Sequence, residues 1–559
     1  MTTTTLSDIA DAYVERVAAL NPVLATYAGI AGHDGALPDL SADGFDERAE
    51  LDRATLSVVR AHSPADARER VARLAMLERL GLAVEAHDAG DDTRQLNVIA
   101  DDIHNVRQVF DLMPTDGEQA QQAIAARMAA VPAAYRQLAR TLLDSARDGR
   151  APAERQVVEV ARQCANWTKP GEGVYQGLVA RLDAQGALRA ELEQAARAAE
   201  QATAEIGEFL TRELGPLAVA PDAVGRERYA RASREFLGAT LDLDEAYAYG
   251  WSEVHRLAAE QRRVAGEIKP GASVSEAMEL LDADGRRRLG GRENFRAWMQ
   301  DLAERTIDQL HGVHFEIPEQ ARRIEACLAP TGDGGVYYTA PSEDWSRPGR
   351  MWWSVPEGVD TFSTWQEVTT VYHEGVPGHH LQISAAVAQR ESLNRWQRLL
   401  CWVSGHGEGW ALYAERLMEE LGYLEDPGAH LGMLDMQMLR AARVVVDLGV
   451  HLELRIPEGA SWPGSGDSAG ATWNAELAWE FLRAHSRMEE ANLRFELNRY
   501  LGWPGQAPSY KLGEKIWLDA REQARARKGA AFSLKEFHDQ ALALGSLGLD
   551  PLQEALAAL

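Results

Sequence analysis

The sequence predicts a large, mainly α-helical fold with a small antiparallel β-sheet beside a cleft. Two observations carry that reading. Apolar residues recur at the three-four spacing of a helical face through most of the chain. One short region, between about residues 311 and 356, instead alternates apolar and polar residues and is broken by turn formers.

The elements follow in order. Leu6, Ile9, Tyr13, Val17 and Leu20 mark one face of a first helix, which Asn21-Pro22 ends. Leu188, Leu192, Ala195, Ala199, Ala202 and Ile206 repeat the pattern in an alanine-rich stretch, whose small residues let helices approach closely. Val313, Phe315 and Ile317 alternate with polar residues and stop at Pro318, predicting a strand. GGVYYTAP from Gly334 and RMWWSVP from Arg350 read as two more, joined by the turn-rich PSEDWSRPG. Such an edge strand either pairs with an extended ligand or simply covers the core. There is no clear internal repeat and no long low-complexity linker. We expect an N-terminal helical region over 1–310 and a C-terminal region with the sheet over 311–559, intertwined as one unit.

With 559 residues, 45% hydrophobic and 26% charged, the chain is long enough for a large core, and its composition is that of a globular protein. The formal net charge is −27. That excess of carboxylates opposes binding to nucleic acid and to anionic membranes, both of which need clustered Lys and Arg. Three well-separated cysteines, Cys164, Cys327 and Cys401, make neither a disulfide framework nor a thiolate metal site. The N-terminal segment lacks the basic start and apolar run of a secretory signal, and no apolar stretch approaches the roughly 20 residues of a membrane span. The expectation is a cytoplasmic protein; the oligomeric state is not legible.

The strongest chemical signal is TWQEVTTVYHEGVPGHHLQ from Thr364. Thr364 and Glu367 have the spacing of a capping box, which predicts a helix start there. His373-Glu374 then falls on its third turn. In HExxH, two histidines four apart bind zinc and the intervening Glu activates water. Here position 377 is proline, and the next histidines are His379 and His380. In an unbroken helix His380 would return to the face of His373 about 10.5 Å along the axis, too far to share an ion. Pro377-Gly378 should distort the helix. A bulge absorbing two residues brings His379 to the ligand position, with His380 as the alternative.

SGHGEGWALYAERLMEELG supplies a carboxylate on a following helix. Glu408 is the expected third ligand. Glu415, seven residues on and on the same face, either orients a ligand histidine or is a solvated charge. Two histidines and one carboxylate leave a position open for water, as in catalytic rather than structural zinc. Glu374 is then the expected general base. Further on, Arg440, Arg443, Asp447 and His451 form a polar stripe on an apolar helix, read as substrate contacts or as a salt-bridge ladder. A donor for a developing oxyanion is expected from Tyr510, in RYLGWPGQAPSYKLG, with His451 second.

HEGVPGHHLQ, EGWALYAE, RVVVDLGVH and PGQAPSYKLG, in that order, resemble the bacterial family called domain of unknown function 885. ALNPVLATYAGIAGHDGALPDLS near the N-terminus and SRPG before Trp352 extend the likeness over nearly the whole chain. That family is grouped with gluzincin-like zinc peptidases, which resemble thimet oligopeptidase, carboxypeptidase Taq and angiotensin-converting enzyme in being helical and cleft-shaped. The resemblance implies zinc, His373 and Glu408 as ligands, Glu374 as base and a role for Tyr510. EGWALY is similar to the EGFA segment whose Glu binds zinc in aminopeptidases. The spacing after His373 is longer than in those relatives.

The resulting expectation is a Zn2+-dependent hydrolase, a metallopeptidase acting on short peptides or small amides. The rivals are a non-peptide amide or ester hydrolase using the same site, and a non-catalytic metal- or ligand-binding protein. A di-iron carboxylate bundle would need paired Glu-x-x-His motifs, which are absent.

Overall fold

The computed structural model describes residues 4–329, 335–466 and 468–558, and it is mainly helical. The first helix, Leu6–Leu20, starts where Thr5 and Asp8 cap each other reciprocally. It buries Leu6, Ala10, Tyr13, Val14 and Ala18, while Ile9 and Val17 pack at the margin. The alanine-rich stretch forms the helix Gly186–Phe209, which lies along Glu118–Arg147.

Two apolar cores organise the chain. The smaller is built almost entirely from residues between Leu96 and Ala218. The larger joins the N-terminal helices, through Leu80, to everything from Tyr229 onward. Leu310 and Phe315 both lie in that larger core, so the packing is continuous across position 310/311. Between the two cores' elements lies a cavity of about 670 Å³ lined by Leu40, Arg94, Asp102, Arg228 and Trp503 among others. Among the described residues no helix is long and apolar enough to cross a membrane.

Two small sheets replace the single antiparallel one expected. β1 (Arg288–Gly290) pairs antiparallel with β5 (Thr361–Ser363). β2 (Ile324–Leu328), β3 (Val336–Thr339) and β4 (Gly349–Trp353) form a mixed sheet in the order β2-β4-β3, with β2 parallel to β4. β3 and β4 are the strands read from VYYT and RMWW; Gly334 lies outside the described residues. The strand expected at Val313–Ile317 is instead a turn with one isolated bridge, His311 to Phe315. Its alternation is real, since Phe315 and Ile317 are buried and Val313 is exposed, but it arises without a ladder.

β5 runs directly into the helix Thr364–Glu374. The helix starts at the predicted place but not by the predicted device. Thr364 Oγ1 donates to the Arg287 carbonyl (3.0 Å), and Glu367 accepts from Trp353 Nε1 (2.9 Å). Tertiary partners have taken both members of the would-be capping box.

Candidate metal centre

Three elements meet at the site: the Thr364–Glu374 helix, the His379–Ala388 helix that follows it, and the Ser404–Glu420 helix. The first two are not one distorted helix with a bulge. The chain ends its helix at Glu374, crosses Gly375-Val376-Pro377-Gly378 and starts again at His379. A Cβ on Gly378 would run into the His373 carbonyl, so only glycine allows so tight a reversal. Gly378 N–H donates to the Tyr372 carbonyl (3.0 Å) and His380 N–H to that of Gly375 (3.1 Å). From the neighbouring helix, Trp410 Nε1 donates to the Pro377 carbonyl (2.8 Å) and anchors the loop.

This break brings His379 beside His373. Their rings lie 4.8 Å apart, nearly perpendicular. His373 Nε2 is 3.4 Å and His379 Nε2 3.3 Å from the same oxygen, Oε2 of Glu408. Both histidines are buried, and Glu408 keeps some exposure. Ligands about 2.0–2.1 Å from a tetrahedral zinc stand about 3.3–3.4 Å from one another. The donor set, its separations and its buried location therefore fit a divalent cation.

Behind the cluster, Glu415 accepts from His373 Nδ1 (2.7 Å) and from Thr369 Oγ1 (3.0 Å). Glu415 is thus a buried orienting carboxylate rather than a solvated helix charge. Burial works against a charge on His373, but the close carboxylates of Glu408 and Glu415 outweigh it and push its pKa up to about 10. Burial likewise opposes the Glu408 carboxylate, yet His379 and His373 hold its pKa well below the usual range. Glu374 is buried and its carboxyl is raised by desolvation, with His379, His373 and Arg440 countering and Glu408 reinforcing that rise. Three carboxylates around two imidazoles make a locally anionic pocket, the electrostatic complement of a cation.

His380 turns away. Its Nε2 donates to the Ala321 carbonyl (2.7 Å) and its Nδ1 receives the Tyr338 hydroxyl (2.8 Å). Burial lowers its pKa to about 4, consistent with a neutral structural ring. Gly349 makes room for this pair, since a Cβ there would strike the Tyr338 hydroxyl. Tyr338 was legible in the sequence only as a strand residue.

Tyr510 stands near the cluster, at the start of the helix Ser509–Lys528. That helix crosses the Glu408 helix where Gly409 meets Gly513 backbone to backbone, so the glycine after Glu408 sets the approach of Tyr510. Burial pushes the phenol up to about 12, helped by the charge of Glu408. No hydrogen bond engages its hydroxyl among the described residues.

His451, the second donor candidate, is directed elsewhere. Its two ring nitrogens face the carbonyls of Asp222 and Tyr500, each at 3.0 Å, and it sits 4.0 Å from Asp447. Asp447 in turn accepts from the Tyr229 hydroxyl (2.6 Å) and Gly505 N–H (2.9 Å). This half of the polar stripe ties helices together and has no nitrogen left for an oxyanion.

A second group among the described residues, Glu260, Glu419 and His430, also brings three potential ligand atoms together. There Arg256 (3.0 Å) and Arg416 (3.2 Å) already neutralise Glu260.

Residues 22–556 match the model of a family described as bacterial protein of unknown function, DUF885, and the chain belongs to that family. Among curated proteins, none is similar enough to count as a relative. Two solved structures share the fold, both described as a "putative lipoprotein". The one from Colwellia psychrerythraea is 20% identical with a TM-score of 0.83, over 100% of this chain and 99% of its own. The one from Shewanella oneidensis is 17% identical with a TM-score of 0.75, over 99% of this chain and 100% of its own.

Proposed function

We propose that this protein is a zinc-dependent hydrolase of the gluzincin-like kind, cleaving short peptides or related amides. The observation that carries the reading is the convergence of His373 Nε2 and His379 Nε2 on one Glu408 oxygen, with Glu374 one residue after the first histidine.

His373, His379 and Glu408 would hold the ion. When bound, it lowers the pKa of water toward about 7 and polarises a carbonyl. Glu374 takes the proton from the attacking water and returns it to the leaving amine. Its burial, which raises its proton affinity, suits that task. Glu415 fixes the ring and tautomer of His373. The Tyr510 hydroxyl, kept protonated by burial, donates to the oxyanion as it develops.

Extended substrates are supported by β3, an edge strand whose outer side has no ladder partner among the described residues. A backbone segment laid along it would approach the cluster past Tyr338 and His380. Free thiols at Cys164, Cys327 and Cys401 support a reducing compartment, whereas the structural neighbours carry a lipoprotein description; cell fractionation separates cytoplasm from envelope.

The test is turnover of a short-peptide library by the metal-replete protein and by Glu374→Gln. Cleavage by the former, with metal retained and turnover lost in the latter, supports the proposal. Equal cleavage of folded proteins counts against the short-peptide preference. Hydrolysis confined to non-peptide esters or amides would move the same site to a different substrate class. Metal binding without any hydrolysis would make it a binding protein.

A further inference from the structure

Beside Tyr510 the protein buries more positive charge than it neutralises. Arg440 and Arg443 come from the helix Pro427–His451, and Arg499 from the helix Glu490–Gly502. All three are more than nine-tenths buried, at 8%, 6% and 7% exposure. Glu496 serves two of them, at 2.8 Å from Arg443 and 2.7 Å from Arg499. Arg443 Nε also donates to the Tyr500 hydroxyl (2.6 Å), and Arg499 Nη1 to Gln506 Oε1 (2.8 Å).

Arg440 shares none of this. Its one hydrogen bond runs to the Met436 carbonyl, one turn back on its own helix (3.2 Å). Its Nε is buried with no partner, as is that of Arg499. The Arg440 guanidinium carbon lies 6.0 Å from the centre of the Tyr510 ring, and that of Arg443 lies 5.0 Å away. Its charge also acts on Glu374. Asp435, partly exposed on the same helix, feels Arg440 without forming an ion pair with it. Glu374 forms none either.

An unpaired buried guanidinium is costly, and a planar fork of donors matches a carboxylate two bonds at a time. We propose that Arg440, with Arg443 and Arg499 adding to the field, receives a carboxylate of the substrate. It would hold that group on the Tyr510 side of the metal cluster and select anionic peptides. The proposal rests on the hydrolase reading and names its substrate class. A free C-terminal α-carboxylate and an acidic side chain share this chemistry.

Matched peptide pairs separate the two sources. One pair differs as C-terminal acid and C-terminal amide, the other as Glu and Gln at an internal position. With the metal-replete full chain, kcat/KM should favour the charged member of one pair by about a hundredfold or more, as expected where a site built for a polar group meets an analogue lacking it. Arg440→Gln should collapse that ratio toward one, and Arg440→Lys should restore part of it, each variant checked for metal content and thermal unfolding. Equal treatment of both pairs by the wild type, or full discrimination surviving in Arg440→Gln, overturns the proposal while leaving the hydrolase reading intact. If no peptide is cut, the peptidase reading fails, and calorimetric binding of the same pairs decides the carboxylate site. An Arg440-dependent preference for the charged peptide supports it, and equal binding overturns it.

Discussion

Two groups of histidine and glutamate converge in this molecule, and they differ in what surrounds them. At His373, His379 and Glu408, a further carboxylate, Glu415, backs one imidazole, and Glu374 adds a third negative charge. At Glu260, Glu419 and His430, two arginines already occupy the carboxylate that would bind. The same residue types within the same reach therefore have opposite electrostatic meanings. A cation is drawn to a pocket whose carboxylates are balanced only by imidazoles, which can release their protons and become ligands, and it must displace permanently charged guanidinium from the other. Convergence of ligand types is thus a weak criterion, and the charge balance of the next layer discriminates.

The largest effect that sharpens this contrast is loss of a ligand. Glu408→Ala should weaken metal binding by more than about a hundredfold, beyond the range typical of losing an outer partner, and should abolish hydrolysis. Competition with a chromogenic chelator measures it. Unchanged affinity would erase the distinction between the two groups.

Next comes Glu374→Gln, which removes a proton acceptor and leaves the three ligands. Metal content should stay at one per chain, while kcat falls by about 10²–10⁴. Glu415→Gln should weaken metal affinity by about 10–100-fold, because His373 loses the carboxylate that orients its ring. An affinity equal to wild type would show that the backing carboxylate does not distinguish the sites.

The smallest effect concerns the second group, where the contrast makes Glu260 a structural ion-pair residue. His430, 3.6 Å away, together with Arg416 and Arg256 lowers the Glu260 pKa to about 2 against burial, from an ordinary value of 4.5. A depressed carboxyl pKa stabilises the fold fully above pH 4.5, and that contribution is lost as pH falls toward 2. Glu260→Gln should therefore cost about 1–2 kcal/mol at pH 7, the linkage value discounted for the solvent exposure of the pair. The gap between variant and wild type should close as pH drops below 4.5. Denaturant unfolding at several pH values follows it, and metal content should not change.

Much of this was legible in residue order because it is local. The first helix announces itself through Leu6, Tyr13 and the Asn21-Pro22 stop, and VYYT and RMWW read correctly as strands. His373, Glu374 and Glu408 stand out by residue type and helical setting. What failed was decided by partners distant in sequence. Ile324–Leu328 pairs in parallel with a strand beyond an intervening one, which short-range alternation does not encode. Thr364 and Glu367 fit a capping box until Arg287 and Trp353 claim them. His379 and His380 are adjacent and chemically identical in sequence. Only the break at Gly375–Gly378 and the claim of Tyr338 and Ala321 on His380 separate them. The stripe from Arg440 to His451 looked uniform, yet three-dimensional packing gives Arg443, Asp447 and His451 partners on other helices and leaves Arg440 without an ion pair.

The most direct test of the central claim is an anomalous-difference map from crystals of the metal-replete protein, recorded on both sides of the zinc absorption edge. The account requires one strong peak about 2.0–2.2 Å from His373 Nε2, His379 Nε2 and a Glu408 oxygen, and none at Glu260. A map with no density between those three side chains, or with its peak on His380 or His430, would contradict it.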